Sequence, residues 1–369
     1  MLLTWLSALL LLLATVPGLD AADARRGRDL FRTHGCATCH AAGSEGASGA
    51  RDLAVRRGRG FRPAEFAATM WNHAPTMWAA MDAKGVERRP LNPGDASDLL
   101  AFFHQSGFFE PPGDAGRGKA VFESKRCASC HSLTAGGGLA GTPVPQWRSL
   151  HDPYDIARYM WNHGLLMMNA MREKGWRWSN LSGQELRDLY VYLRNLPQTR
   201  DLPAELVLVP PGSGGRLLEE KGCMQCHSGK LAFDSPAYVR RMADQSLTDL
   251  AAAMWNHTPR MQQPEALSGE EMRQILGAIW GRRFFLGAGS ERAGRRVFER
   301  RQCASCHGGP SPSAPELRGR QEYSAPAMIS ALWGHGPAMR QEAVAKRLAW
   351  PRFERGEMED LIAFLNSSQ

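Results

Sequence analysis

Eight cysteines fall into four pairs; two residues separate the members of each pair, and a histidine follows the second. The four segments read CATCH, CASCH, CMQCH and CASCH, and their cysteines are Cys36 and Cys39, Cys127 and Cys130, Cys223 and Cys226, and Cys303 and Cys306. On a helical turn, cysteines three residues apart lie on one side, where each thiol can add to one vinyl group of a haem. The pattern therefore predicts covalent attachment of haem c, with its iron, at four places.

Three other uses of paired cysteines compete with this interpretation. An exported chain can form disulfides, and a lone pair can act as a thioredoxin-like redox site or as half of a zinc site. The sequence contains four CxxCH segments with similar flanking residues, and all eight cysteines belong to them, which favours haem instead. The residue after each pair would then bind the iron on its proximal side, and these residues are His40, His131, His227 and His307.

The elements that must position these groups also repeat, since the first cysteines of successive pairs lie 91, 96 and 80 residues apart. A glycine stands nine residues before each first cysteine and an apolar residue five before it: Gly27 and Phe31, Gly118 and Phe122, Gly214 and Leu218, Gly294 and Phe298. Their spacing of four places both on one helix face. A Gly/Ser/Pro-rich loop, a helix ending in MWNH or LWGH and a final amphipathic helix follow each pair. The sequence predicts four small helical units in series.

This arrangement resembles the class I cytochrome c family, which implies an all-α fold of four tandem small domains, each wrapped around one covalently attached haem. In that family the first helix crosses a last helix that carries an aromatic residue, and a loop methionine binds the iron. The matching aromatics here would be Phe102, Tyr192 and Phe364. The third unit departs from the pattern, because Leu218 and Ala278 stand at these positions, and a looser crossing is expected there.

The repeats and the Pro/Gly-rich breaks between them predict the domain boundaries. They are a signal peptide at 1–21 and cytochrome c domains at 22–112, 113–205, 206–286 and 287–369. Aromatic residues flank the short breaks near 108–116 and 286–290. These residues predict packing of the first domain on the second and of the third on the fourth, with a joint at 197–215. The alternative is a single rigid row of four domains, with the apolar residues 206–210 packed against them.

A histidine and a methionine recur four residues apart in every unit, and either could bind the iron on its other side. The histidines His73, His163, His257 and His335 lie 28 to 33 residues after the proximal histidines, and the methionines are Met77, Met167, Met261 and Met339. In three units a proline two residues after the histidine predicts that the helix ends there and that the methionine lies on a loop. We therefore favour methionine as the sixth ligand, as the resemblance also implies, and keep the histidines as the alternative.

The amino terminus and the charge bear on location and partners. Residues 1–21 are apolar from Leu2 to Val16 and then small and polar, as in a secretory signal peptide, which predicts a periplasmic protein. The alternative is an uncleaved inner-membrane anchor at residues 2–19, and only then is membrane contact expected. The formal charge is +8, but the arginines are interspersed with acids, so we expect no nucleic-acid partner.

The expected function is electron transfer between periplasmic or membrane-associated redox partner proteins, with a membrane respiratory complex as one candidate. Two alternatives remain open: a haem enzyme, such as a peroxidase or small-molecule reductase, and a gas-binding sensor. The enzyme needs an open iron position, whereas each unit offers a histidine and a methionine. The sensor needs a weakly bound methionine that a diatomic gas can displace. No unit carries an added acid–base constellation, so no catalytic residue is expected.

Overall fold

The protein is described by a computed structural model that covers much of residues 22–367. The gaps lie at 43–44, 48, 52, 54–61, 107–111, 137–138, 203–212, 236, 239–240, 242–244, 262–263, 282–288, 310–313 and 320–321. The predicted signal peptide lies outside the described residues, as do the aromatic residues of the junctions at 107–111 and 282–288. Within the described part, no helix has the length and apolar character needed to cross a bilayer.

The fold is all-α, as predicted, and each unit is built from three main helices. Unit 1 contains α1 (Ala24–Thr33), α2 (Pro63–Ala83) and α3 (Pro93–Gln105); unit 2 contains α4 (Ala115–Ser124), α5 (Pro153–Glu173) and α6 (Gly183–Arg194). Unit 3 contains α7 (Gly214–Glu220), α8 (Leu247–His257) and α9 (Gly269–Gly281); unit 4 contains α10 (Glu291–Arg300), α11 (Ala325–Ala345) and α12 (Glu357–Asn366). Short helical turns connect them, and β1 (Ala41–Ala42) pairs antiparallel with β2 (Glu45–Gly46).

The helices begin where side chains can accept hydrogen bonds from the unpaired backbone N–H groups of the first turn. Ser246 and Asp249 form the reciprocal capping box at the start of α8, and the Ser324 side chain accepts a hydrogen bond from the N–H of Ala327 at the start of α11. Asp114 caps α4 in the same way. Each of these caps depends only on residues three apart, so the local sequence sets where these helices begin.

The first and last helices of each unit cross at the repeated glycine. A Cβ atom placed on Gly27, Gly118 or Gly294 would lie 1.9 to 2.0 Å from a carbonyl oxygen of the crossing helix, so only glycine allows this approach. The neighbouring aromatics meet at the same crossing, with ring centres 5.5 Å apart for Phe31 and Phe102 and 5.4 Å apart for Phe298 and Phe364. This crossing forms the core of each unit.

Unit 3 keeps the crossing with smaller side chains. A Cβ atom on Gly214 would lie 2.3 Å from the carbonyl oxygen of Gln274 and 2.6 Å from the Cβ of Ala278. Leu218 is fully buried there. The backbone approach is thus nearly as close as in the other units, while the first helix is shorter, with seven residues instead of ten.

The predicted end of the second helix at the histidine is wrong in units 1 and 4. Helix α2 continues ten residues past His73 with Pro75 inside it, and α11 continues past His335 with Pro337 inside it. Burial beyond the proline outweighs the lost hydrogen bond, since Trp78 is 3% exposed. In unit 3 the prediction holds: α8 ends at His257 and Met261 follows a short turn.

The units pack in the pairs 2–3 and 1–4, and the described contacts do not follow the expected pairing of 1 with 2 and 3 with 4. In the pair 2–3, helix α5 packs on α8 and α9, and α6 packs on α8; in the pair 1–4, α11 packs on α2 and α3, and α12 packs on α2. Ion pairs support both contacts: Arg273 with Asp152, both buried, and Arg62 with Glu359 at 2.7 Å. The connection between units 2 and 3 therefore joins two units that already pack together.

Candidate haem sites

Each CxxCH segment forms one tight turn after the first helix of its unit. The residue before the first cysteine has a positive φ in every unit: Gly35, Arg126, Gly222 and Gln302. The backbone N–H of His40 then donates to the carbonyl oxygen of Cys36 at 2.9 Å, and the other three units repeat this bond at 2.8 to 3.0 Å. The two cysteines and the histidine of each motif therefore lie on one tight turn.

The eight cysteines are free thiols, and the first of each pair is poorly solvated. Loss of solvation raises the pKa of Cys36 to about 12 and those of Cys127 and Cys303 to about 11, and it raises the pKa of Cys223 as well. Redox-active and metal-binding cysteines need the opposite, a lowered pKa that yields the thiolate. The described residues contain no cluster of three or more His, Cys, Asp or Glu that could hold a metal ion.

The four proximal histidines share one orientation. Their Nδ1 atoms lie 2.8 to 3.2 Å from backbone carbonyl oxygens, those of Arg51, Thr142, Leu231 and Pro315 for His40, His131, His227 and His307 in turn. A carbonyl can only accept, so each ring donates from Nδ1 and keeps the lone pair on Nε2. Metal-bound histidines are held in this way. The carbonyl partners share no residue type, so no sequence signal could have found them.

The second histidine of three units faces the proximal one. The ring centres of His40 and His73 are 6.3 Å apart, and those of His227 and His257, and of His307 and His335, are 6.1 Å apart. In unit 2 the proximal His131 contacts Trp147 instead, with ring centres 5.0 Å apart. Loss of solvation, and next the proximal imidazole, lower the pKa of His73, His163 and His335, which favours the neutral ring that can bind a metal.

The four methionines lie near the second histidines. In α2, α5 and α11 the methionine follows the histidine by one helical turn, so both side chains lie on the same side of the helix. Met77, Met167 and Met339 are partly buried against the core, and Met261 is half-buried beyond the end of α8. In units 1, 2 and 4 both candidate ligands therefore lie on the second helix, whereas in unit 3 only His257 does and Met261 lies beyond the helix end.

Comparison with known families agrees with this geometry. The family model "Cytochrome c" matches residues 24–106 and 115–197, and the model "Cytochrome C oxidase, cbb3-type, subunit III" matches residues 289–365. The chain belongs to the c-type cytochromes. No curated protein and no solved structure matches it. As a c-type cytochrome, it carries covalently bound haem c and transfers electrons.

The third unit of this cytochrome lies outside the matched ranges, yet it has the same site geometry. Its turn places the N–H of His227 3.0 Å from the carbonyl oxygen of Cys223, and its glycine crossing is intact. The residues present therefore fit a covalently held haem in unit 3 as well as in the matched units.

The tryptophan and asparagine of the MWNH motif have a role that sequence reasoning missed. The indole N–H of Trp255 in unit 3 donates to the carbonyl oxygen of Ser179 in unit 2 at 2.8 Å, and that of Trp161 in unit 2 donates to the carbonyl oxygen of Glu265 in unit 3 at 2.9 Å. The asparagines make similar reciprocal bonds between these two units. The tryptophan and asparagine of the motif thus serve the contact between cytochrome units.

Proposed function

We propose that this protein is an exported cytochrome with four covalently bound haems, which passes electrons between periplasmic or membrane-associated redox partners. The observation that carries this proposal is the fourfold repetition of one arrangement: a CxxCH turn whose histidine is anchored through Nδ1 to a backbone carbonyl. A haem bound there supplies a one-electron iron couple. The chain itself holds, orients and shields it.

The roles of the residues follow from their positions. The cysteine pairs Cys36/Cys39, Cys127/Cys130, Cys223/Cys226 and Cys303/Cys306 would hold the haem edges as thioethers, and His40, His131, His227 and His307 would bind the irons through Nε2. The carbonyl bonds on Nδ1 keep the rings turned towards the iron and make them better donors. No group here needs to gain or lose a proton for an electron to pass.

The match of unit 4 to a subunit of a cbb3-type cytochrome c oxidase supports a respiratory complex as the partner. Charge supports a protein partner over nucleic acid. Each haem adds about two propionate charges, partly offset by oxidised iron, so four haems bring the formal +8 to roughly zero to +4.

The number of haems tests the proposal directly. Intact mass after acid extraction of loose haem should show four haem additions per chain from a host with a working haem-attachment system. The double variant Cys36→Ser/Cys39→Ser should carry three, because it lacks both thiols of one site.

The matched control is Thr38→Ser, between the same two cysteines, which should keep four haems. A wild-type chain with three haems or fewer would refute the four-site proposal.

A further inference from the structure

The spacing of the facing histidines in units 1, 3 and 4 matches two imidazoles that share one metal. A metal–imidazole bond is about 2.0 Å long and a ring nitrogen lies about 1.1 Å from its ring centre, which places two rings on opposite sides of one metal about 6.3 Å apart. The observed separations are 6.3, 6.1 and 6.1 Å. Simple packing would not require the same value three times.

The orientation of the rings agrees with this spacing. The Nδ1 atoms of the proximal rings are held by backbone carbonyls, as described above. In units 2 and 3 the Nδ1 of the second histidine also bonds to a backbone carbonyl one turn earlier, that of Tyr159 for His163 and that of Ala253 for His257. Both rings of these units therefore donate from Nδ1 and keep the lone pair on Nε2.

The methionines lack a comparably constant position. In units 1 and 4 the helix continues through the proline, so Met77 and Met339 are helical residues and not loop residues. In unit 3 the helix ends at the histidine, and Met261 lies on extended backbone. The histidine spacing is nevertheless the same in all three units. The distance between the two histidine rings thus stays the same while the backbone at the methionine differs from unit to unit. This constancy favours the histidine over the methionine as the second ligand.

We propose that His73, His257 and His335 are the sixth iron ligands of units 1, 3 and 4, which makes these sites bis-histidine haems. The inference rests on the proposed haem-carrying function and replaces methionine in these three units. In unit 2, where the ring of the proximal His131 makes a T-shaped contact with Trp147, Met167 remains the expected ligand. Because methionine ligation raises haem potential relative to bis-histidine ligation, units 1, 3 and 4 should have lower potentials than unit 2.

The ferric holoprotein tests this proposal through the sulfur-to-iron charge-transfer band, which only a methionine-ligated haem shows. Once mass has confirmed four haems per chain, we expect the band to have at most the intensity of one methionine-ligated haem per chain. Intensity equal to two or more haems would overturn the proposal. Fewer than four haems would count against the proposed function, whereas the band per haem reports ligation alone.

A pair of variants in unit 1 separates the two candidate ligands. His73→Ala should open one iron, so that the reduced protein binds carbon monoxide at one haem, or should let Met77 bind and add a new sulfur band. The control Met77→Leu, of similar volume one turn away, should leave the spectrum and the carbon monoxide response unchanged. Carbon monoxide binding in Met77→Leu, with His73→Ala like the wild type, would assign the ligand to methionine.

Discussion

Gly294→Ala is expected to destabilise unit 4 by about 3 kcal/mol or more, which is at or beyond the usual cost of overpacking a core. The added Cβ would lie 1.9 Å from the carbonyl oxygen of Asp360 and 2.7 Å from the Cβ of Phe364. Neither neighbour can move away as a flexible side chain would, because one is backbone and the other is the root of a buried ring. The helices α10 and α12 must therefore separate.

Guanidinium unfolding of the holoprotein, followed by far-ultraviolet circular dichroism and by haem absorbance, should show one unit unfolding early. Gly334→Ala is the matched control in the same unit. A Cβ on Gly334 meets nothing within 4 Å, and alanine is favoured over glycine inside a helix by about 1 kcal/mol. This control should be neutral or stabilising. If both variants unfolded like the wild type, the close crossing of α10 and α12 would be wrong.

Asn162→Ala is expected to weaken the contact between units 2 and 3 by about 2–4 kcal/mol, since it leaves two backbone groups without partners. The Asn162 side-chain amide donates to the carbonyl oxygen of Leu267 at 2.9 Å, and its carbonyl accepts from the N–H of Leu267, also at 2.9 Å. Asn256 makes the same two bonds to Leu181 in the opposite direction. The variant removes half of this reciprocal set.

Amide hydrogen exchange of the holoprotein provides a local measurement, because the N–H of Leu267 should lose protection in Asn162→Ala. Asn180→Ala is the control: its side chain is exposed, although it stands next to Leu181 at the same interface. That control should exchange like the wild type. Unchanged protection of Leu267 in Asn162→Ala would show that the contact is held by other groups, such as Arg273 with Asp152.

The local features of each unit could be predicted from the sequence. The CxxCH turn depends on residues three and four apart, and the positive φ before it depends on one position. The capping box of Ser246 and Asp249 is equally local. The crossing at the glycine joins residues far apart in the sequence. The glycine and the aromatic residue four positions after it nevertheless recur in three units, and this repeat indicates which face of the first helix packs. These features place each proximal histidine at the end of its turn, while the carbonyl that holds its Nδ1 lies outside the turn and shares no residue type among the units.

Three features were decided only by the tertiary structure. The proline rule predicts a helix end at His73 and His335, but burial of Trp78, and the close approach of Gly336 to it, hold the helices beyond the prolines. The continued helices, in turn, weaken the case for loop methionines as ligands and leave the facing histidines. The pairing of unit 2 with unit 3 and of unit 1 with unit 4 could not be predicted from the sequence either, although the sequence contains the asparagines that bond across these contacts.

The pairing of the units could not be predicted because the repeated units have nearly identical contact residues. Asn72, Asn162 and Asn256 have the same neighbours in sequence, yet they bond to Phe353, Leu267 and Leu181 in different units. Unit 4 has Gly334 at this position, so its contact with unit 1 has the asparagine bonds in one direction only. Chain order sets which units are joined covalently, but burial and backbone hydrogen bonds between surfaces set which units meet. The sequence by itself determined the CxxCH turns; the packing of the units determined which units meet and where the second helix of each unit ends.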